Sequence, residues 1–157
     1  MAGKVTTKDR DRGFRRIVAQ LKEASGSEVT AGWHADKKHD GLQTAEIASV
    51  HEYGSPARGI PARPVIGPTV DQNRAAYQKL AREAFGKVLD GKDQVEGALT
   101  KLGAKIESDL KRRITDGEFE PLKPATIARK GSSKPLIDTG TMRQQIGNRV
   151  GVGKKAG

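Results

Sequence analysis

The chain contains no cysteine, few aromatic residues and no long apolar run, and each absence excludes a class of protein. Without cysteine it has neither a disulfide framework nor a thiolate metal site. No apolar stretch approaches the roughly 18 residues of a membrane-spanning helix, so we expect no membrane contact. No apolar segment follows the basic N-terminus, which is therefore no secretory signal, and we expect the protein to be made and used in a cytoplasm.

The apolar content is low for a chain of this length. Only 34% of the 157 residues are apolar and 4% are aromatic, with a mean hydropathy of -0.65. The length suits one domain, which we divide into a basic N-terminal helix (1–27), a body (28–152) and a flexible basic tail (153–157). Such a thin core predicts that part of the chain is extended, or buries its apolar surface only against partner subunits.

Positive charge is concentrated at the two ends of the chain. The chain has 29 basic and 19 acidic residues, which give a formal charge of +10. Such ends suit DNA or an acidic protein surface, although solvated termini that keep a protein soluble are the simpler alternative. The low aromatic content argues against specific nucleic-acid recognition, which usually stacks bases on aromatic rings. The candidate contacts for DNA or an acidic partner are Arg12, Arg15, Arg16, Lys154 and Lys155.

The pattern of apolar and turn residues predicts an α+β fold. We expect a small antiparallel sheet packed with two longer helices, and extended proline-rich arms. Thr44, Asp71 and Asp93 are the expected helix caps, the last in a capping box with Glu96. Segments 54–68 and 119–135 contain the prolines and should be irregular. The predicted helices are 9–24, 44–53, 71–89, 93–114 and a short one containing Met142 and Ile146; the predicted strands are 28–34 and 149–152, and 36–41 is a polar turn.

No catalytic, cofactor or metal site can be assembled from the sequence. The histidines at 34, 39 and 51 lack the spacing of a metal site. Segment 86–93 is close to a phosphate-binding loop, but Asp93 stands where that loop needs Ser or Thr. The glycine-rich end 151–157 has no following helix to bind a dinucleotide, and no nucleophile motif occurs. A hydrolase that uses His51 and Glu52 remains a rival interpretation.

Two sequence motifs follow one another along the chain, with two predicted helices between them. The first is ASVHEYG at 48–54 followed by IPARPVI at 60–66; the second is PLKPATIARK at 121–130 followed by KPLIDTG at 134–140. Together they resemble the tail-completion or neck proteins of long-tailed bacteriophages, also described as virion morphogenesis or minor tail component proteins. The order of elements is similar from about Val29 to Val152. Tyr53 and Val65 stand where that family more often has phenylalanine.

This resemblance implies a structural virion protein and not an enzyme. It implies a ring of identical copies, six being the expected number, that completes the tail and joins it to the head connector. The implied partners are the chain itself, the connector proteins, the tail tube or tail terminator, and non-specifically the genome DNA in the lumen. The implied location is the neck or tail of the virion, and the host cytoplasm during assembly. A tail terminator, another minor tail protein and a freestanding nucleic-acid-binding protein are the alternatives.

Physical roles can be expected for the residues of the two motifs. Gly54 should permit a turn that a Cβ would obstruct, and Arg63 suits a bidentate bond to a carboxylate or to backbone carbonyls. A ring needs head-to-tail contacts, to which segments 54–68 and 123–140 should contribute. We assign the following residues to assembly: His51, Glu52, Tyr53, Gly54, Pro61, Ala62, Arg63, Pro64, Pro121, Leu122, Thr126, Lys130, Pro135, Leu136, Asp138, Thr139 and Gly140.

Other motif residues have expected roles as well. Pro61 and Pro64 should stiffen the segment and lower the entropy that it loses on docking. His51 and Glu52 should orient that segment, and Asp138 or Thr139 should cap the helix that follows.

Overall fold

The computed structural model describes residues 13–131, 133–136 and 140–153. The described chain forms two long helices, four shorter ones and four strands, which confirms the predicted α+β class. No helix in these ranges is long and apolar enough to cross a membrane. The elements are α1 (Phe14–Ser25), β1 (Glu28–Trp33), β2 (Lys38–His39), β3 (Leu42–Gln43), α2 (Thr44–Tyr53), α3 (Ile66–Leu89), α4 (Val95–Asp116), α5 (Pro124–Lys130), α6 (Thr141–Gln144) and β4 (Ile146–Gly151), with a 3₁₀ turn at Pro56–Arg58.

The helices and strands form layers around α4. β1 and β4 pair antiparallel, with Glu28 opposite Gly151 and Trp33 opposite Ile146. α4 packs on this two-stranded sheet, and α3 packs against α4. β2 and β3 form a separate short hairpin. The two long helices and the small antiparallel sheet are therefore those that the sequence predicted.

The apolar core consists of two clusters along α4. One lies at the C-terminal end of α4 and contains Val65, Leu110, Ile114, Leu136 and Ile146. The other lies at its N-terminal end, where α4 meets the end of α3, and contains Ala84, Val88, Val95, Ala98 and Leu99. Alternation in β1 directs its apolar side chains to these clusters, as period-two patterning predicts.

Three predicted helix caps differ from the observed N-cap residues. α3 begins five residues before Asp71, which lies inside the helix and pairs with Arg74. Gln43 is the N-cap of α2, while Thr44 is buried in the first turn and hydrogen-bonds to Gln145. Gln94 is the N-cap of α4, so the capping box expected at Asp93 is wrong.

The loop predictions missed several short elements. Segment 119–135 contains α5, which begins at Pro124, a favourable first helical residue because that position needs no amide donor. Segment 36–41 forms most of the β2–β3 hairpin, with positive φ angles at Asp40 and Gly41. Ile146, predicted in the last helix, begins β4 instead.

The N-terminal helix packs loosely on the body. The start predicted at Asp9 lies outside the described residues, and no residue of α1 is buried. Of its apolar face, Ile17 and Val18 are half-buried, whereas Phe14 is 72% and Leu21 53% exposed. The guanidinium of Arg16 donates to the carbonyl oxygens of Leu89 and Asp90 and so fixes α1 against the C-terminal end of α3.

A carboxylate links α4 to the sheet and predicts acid sensitivity. Glu107 accepts hydrogen bonds from Lys111 and from the Asn148 side chain of β4. Burial raises the pKa of Glu107, but these two hydrogen bonds outweigh it and hold the pKa below its ordinary value. A pKa lowered by folding stabilises the folded state above the ordinary pKa, and this contribution disappears as the pH falls through the lowered value.

We therefore expect Glu107→Gln to lose less stability than the wild type between about pH 6 and about pH 3. Urea unfolding at each pH measures this difference. Glu83→Gln is the control, because that exposed carboxylate lies 3.9 Å from Lys79 on the outer surface of α3. An equal acid-induced loss in Glu107→Gln and the wild type would contradict the prediction.

Candidate functional site

A pocket of about 350 Å³ brings the two sequence motifs together. It lies between the segment that follows α2 and the segment that joins α4 to α5. We call it the motif pocket. The motif residues that line it are His51, Pro61, Arg63, Pro121, Leu122, Thr126 and Leu136.

Arg63 connects the two motifs directly. Its side chain is buried, with an exposed fraction of 6%. Nε donates to the carbonyl oxygen of Glu120 at 2.9 Å, and Nη2 donates to that of Pro121 at 3.2 Å. Of the two kinds of partner expected for this guanidinium, the structure shows the backbone carbonyls. A planar guanidinium with two adjacent acceptors fixes both distance and orientation between the segments.

Glu52 supplies the N-terminal cap of α3. Its Oε2 accepts the amides of Val65 at 2.6 Å and Ile66 at 2.9 Å, and its Oε1 accepts the amide of Gly67 at 2.8 Å. A carboxylate is favourable there because the first amides of a helix lack intrahelical partners and carry partial positive charge. Glu52 thus orients the segment after α2, the role expected for it.

Gly54 makes the turn that reverses the chain after α2. Its φ of 74° and ψ of 177° lie in a region that residues with a Cβ rarely adopt. A Cβ there would lie 2.9 Å from the amide nitrogen of Ala62 and 3.0 Å from the carbonyl oxygen of Ile60. The obstruction expected from the sequence is therefore provided by main-chain atoms, which have little room to move.

Beyond Gly54 the chain forms a closed loop and not an extended arm. Ser55 and Ile60 exchange both backbone hydrogen bonds, at 2.8 and 3.0 Å, around the 3₁₀ turn. The amide of Arg63 then donates to the carbonyl oxygen of His51 at 2.6 Å. The expectation of extended arms is wrong for this segment and for the one containing α5. In the first, the base is buried at Arg63 and Val65, and residues 56–59 are exposed.

The chain matches no family model, no curated protein and no solved structure.

Several motif residues face solvent. Tyr53 is 80% exposed, and Ala62 and Pro121 are also exposed. Pro61 and Pro64 are half-buried against the body. An exposed tyrosine is typical of protein interfaces, because its ring contributes a large contact area at a low cost in side-chain entropy.

The other residues predicted for assembly or partner contacts lie in several parts of the chain. Leu136 is buried in the core with a φ of 61°, and Pro135 is half-buried beside it. Gly140 is the N-cap residue of α6, with a φ of 79°. Lys130 ends α5, and Arg15 is exposed on α1. Arg12, Asp138, Thr139, Lys154 and Lys155 lie outside the described residues.

A second polar group joins the two long helices. Asp109 is 4% exposed and accepts hydrogen bonds from the Tyr77 hydroxyl, at 3.0 Å, and from Lys105. Burial, followed by the hydrogen bond to Asp109, raises the pKa of Tyr77 above its ordinary value. This group holds α3 against α4 and lies apart from the motif pocket, so its chemistry is that of a structural contact.

Three consecutive basic residues near the end of α4, Lys111 to Arg113, make contacts with nearby side chains. Lys111 pairs with Glu107, Arg112 lies 3.6 Å from Asp109, and Arg113 lies over the ring of Phe119 at 5.0 Å. Lys111 and Arg112 therefore have acidic neighbours on their own helix.

The histidines do not converge within the described part of the chain. His34 hydrogen-bonds with Thr30, and His39 lies 3.6 Å from Asp40. No group of three or more histidine, aspartate or glutamate side chains in the described ranges is placed to hold a metal ion.

Sequence reasoning missed several residues that line the motif pocket. Ile47, Glu120 and Met142 are among them. Met142 also accepts a hydrogen bond on its carbonyl oxygen from Trp33 Nε1 at 2.7 Å, which fixes α6 to β1. Main-chain acceptors have no side-chain signature, so no pattern in the sequence points to these contacts.

Proposed function

We propose that the chain is a structural subunit of a tailed-bacteriophage neck, which joins identical copies in a ring that completes the tail and connects it to the head. The observation that carries this proposal is the buried guanidinium of Arg63, which ties the two family-like motifs into one surface. Two segments that are 57 positions apart in sequence and share one site are under a common structural requirement.

The arrangement favours a contact surface over a reaction centre. The guanidinium of Arg63 is committed to two carbonyl oxygens, and the carboxylate of Glu52 to three amides. Both charged groups therefore hold the main chain in place. A reaction centre that used His51 and Glu52 would have to break the cap of α3.

Arg63 and Glu52 hold the main chain of this region in place, and its loop at 56–59 is exposed. Such a region suits assembly, because it loses little conformational entropy on binding. Rings of identical copies use head-to-tail contacts, so each copy presents two different surfaces. Tyr53 and the exposed loop 56–59 belong to one of them in this proposal.

Imaging of particles that carry a tagged copy tests the proposal. We expect tag density in a ring at the junction of head and tail. Density at the far end of the tail tube would favour another minor tail protein. A chain that is absent from particles and stays monomeric at high concentration would contradict the proposal.

One substitution sharpens this test. Tyr53→Ser should leave the fold unchanged, because this side chain is 80% exposed, and should reduce incorporation into particles. Gln78→Ser, an exposed change on α3, is the matched control and should incorporate normally. Monomers that bind duplex DNA tightly, with an affinity that falls steeply with salt, would instead favour a freestanding nucleic-acid-binding protein.

A further inference from the structure

The sequence contains three aspartate–glycine pairs, at 40–41, 90–91 and 116–117. In such a pair the amide nitrogen of the glycine can attack Cγ of the aspartate, because glycine has no Cβ to obstruct the approach. All three aspartates are exposed. Whether a pair reacts therefore depends on how the fold holds its glycine amide.

Two of these glycine amides are engaged at the ends of long helices. The amide of Gly91 donates to the carbonyl oxygen of Val88 at 2.9 Å, where α3 ends, and that of Gly117 donates to the carbonyl oxygen of Arg113 at 2.8 Å, where α4 ends. α3 and α4 pack against each other. Attack by either nitrogen first has to break a hydrogen bond at the end of a packed helix.

The amide of Gly41 is placed differently. Asp40 and Gly41 are the two central residues of the β2–β3 hairpin, between the paired residues His39 and Leu42, and have φ angles of 50° and 80°. Positive φ at both positions is typical of a type I′ turn, whose closing hydrogen bond uses the amide of the residue after the glycine. Within the described ranges the exposed Gly41 donates no hydrogen bond from its amide. Each strand of the hairpin has only two residues, so few contacts hold its tip.

We propose that Asp40 is a site of spontaneous isoaspartate formation, and that the fold protects Asp90 and Asp116. The nitrogen of Gly41 forms a bond to Cγ of Asp40, and the hydroxyl of the carboxylic acid leaves as water with the amide proton, which gives a cyclic succinimide. Water then adds to one of the two imide carbonyls and opens the ring. Opening at the Cγ carbonyl regenerates aspartate, and opening at the other carbonyl gives isoaspartate. No electron is transferred, and water is the only co-reactant.

The product changes the turn. In isoaspartate the main chain runs through Cβ, which adds one methylene to the backbone and leaves the α-carboxylate as the side chain. A two-residue turn sets the register of its strands, so His39 and Leu42 lose their pairing. The carbonyl of Lys38 accepts a hydrogen bond from Gln145 at 3.0 Å, which holds the base of the hairpin. His39 lines the motif pocket, so the change at the tip alters one wall of that pocket.

Incubation in water enriched in the heavy oxygen isotope tests the site, because each passage through the succinimide incorporates one solvent oxygen. The three pairs lie in separate tryptic peptides, 39–58, 88–92 and 114–129, whose label is read by mass spectrometry. The urea-unfolded chain is the reference for each pair, since no fold protects its amides. We expect folded Asp40 to take up label within about threefold of its unfolded rate, and Asp90 and Asp116 to be at least about fivefold slower than theirs.

Two substitutions at position 40 check the chemistry. Asp40→Gly removes the side-chain carboxyl and keeps a residue that readily adopts a positive φ, so peptide 39–58 should take up no label. Asp40→Asn creates an Asn–Gly pair that suits the same turn, and it should react several-fold faster because ammonia is the better leaving group. Hydrogen exchange at 39–42 should be faster in aged than in fresh wild type, and should not change with age in Asp40→Gly.

Label uptake at Asp40 that is suppressed as strongly as at Asp90 and Asp116 would overturn the proposal, because the hairpin would then protect its own amide. Faster uptake at either helix end would overturn it as well. Isoaspartate at Asp40 with unchanged hydrogen exchange at 39–42 would overturn the effect assigned to the turn.

Discussion

Arg63→Met is expected to lower the free energy of unfolding by roughly 2–4 kcal/mol. The substitution keeps an apolar stem in a site that is 6% exposed, but removes the donors to the carbonyl oxygens of Glu120 and Pro121. Hydrogen bonds from a charged donor contribute about 1.5–3 kcal/mol, more than bonds between neutral groups, and the substitution removes two of them. Urea unfolding measures the difference.

The matched control for this prediction is Arg58→Met, because Arg58 lies on the exposed 3₁₀ turn of the same loop. It should change the free energy of unfolding by less than about 0.5 kcal/mol. Arg63→Lys should resemble Arg63→Met more than the wild type, because an ammonium group cannot match two carbonyls in a plane. Hydrogen exchange should also speed up in the segment that joins α4 to α5. A loss as small as that of Arg58→Met would contradict the role assigned to Arg63.

Gly54→Ala is expected to lower the free energy of unfolding by about 3 kcal/mol. Two effects add: alanine disfavours a φ of 74° with a ψ of 177°, and its Cβ would lie 2.9 Å from the amide nitrogen of Ala62. Relief of the contact would move the Ser55–Ile60 bridge and with it Arg63. Thermal and urea unfolding of the variant, compared with the wild type, give the magnitude.

Gly86→Ala is the control for Gly54→Ala. Gly86 lies within α3, and a Cβ built there has no atom within 4 Å. Alanine in a helix interior should raise stability by up to about 1 kcal/mol, because it restricts the unfolded chain more than glycine does. Opposite signs for the two substitutions would confirm that the conformation at Gly54 causes the loss. Equal effects would indicate a general response to added methyl groups.

The elements with strong periodic patterns could be predicted from sequence. The alternation of Val29, Ala31 and Trp33 predicted β1, and the apolar stripe from Val95 to Ile114 predicted α4. One face of α4 is buried and the apolar face of β1 is half-buried, and that requirement repeats along the sequence at the period of the element. Helix bounds were less reliable at α3, since Asp71 provides a local cap signal whereas the actual cap, Glu52, comes from another element.

The site could be predicted only in part. Its side-chain contributors, Glu52, Gly54 and Arg63, carry chemical types that suggest caps, turns and bidentate bonds. Arg63 donates to main-chain carbonyls of Glu120 and Pro121, and a side chain at Gly54 would collide with the main chain of Ala62. Every residue type has these main-chain atoms, so the sequence does not reveal them. The closed loop at 55–60 was missed for a similar reason, because proline content indicates irregular backbone but not whether it folds back.

The α3–α4 hairpin has a consequence for the dimensions of an assembly. If the contact surfaces lie at the two ends of α3, the length of this helix, roughly 36 Å, sets the distance between neighbouring copies. The channel diameter of the proposed ring would then depend on the length of α3 and not on the conformation of loops. A variant of this chain with the hairpin lengthened by whole heptads would then place neighbouring copies farther apart in the proposed ring.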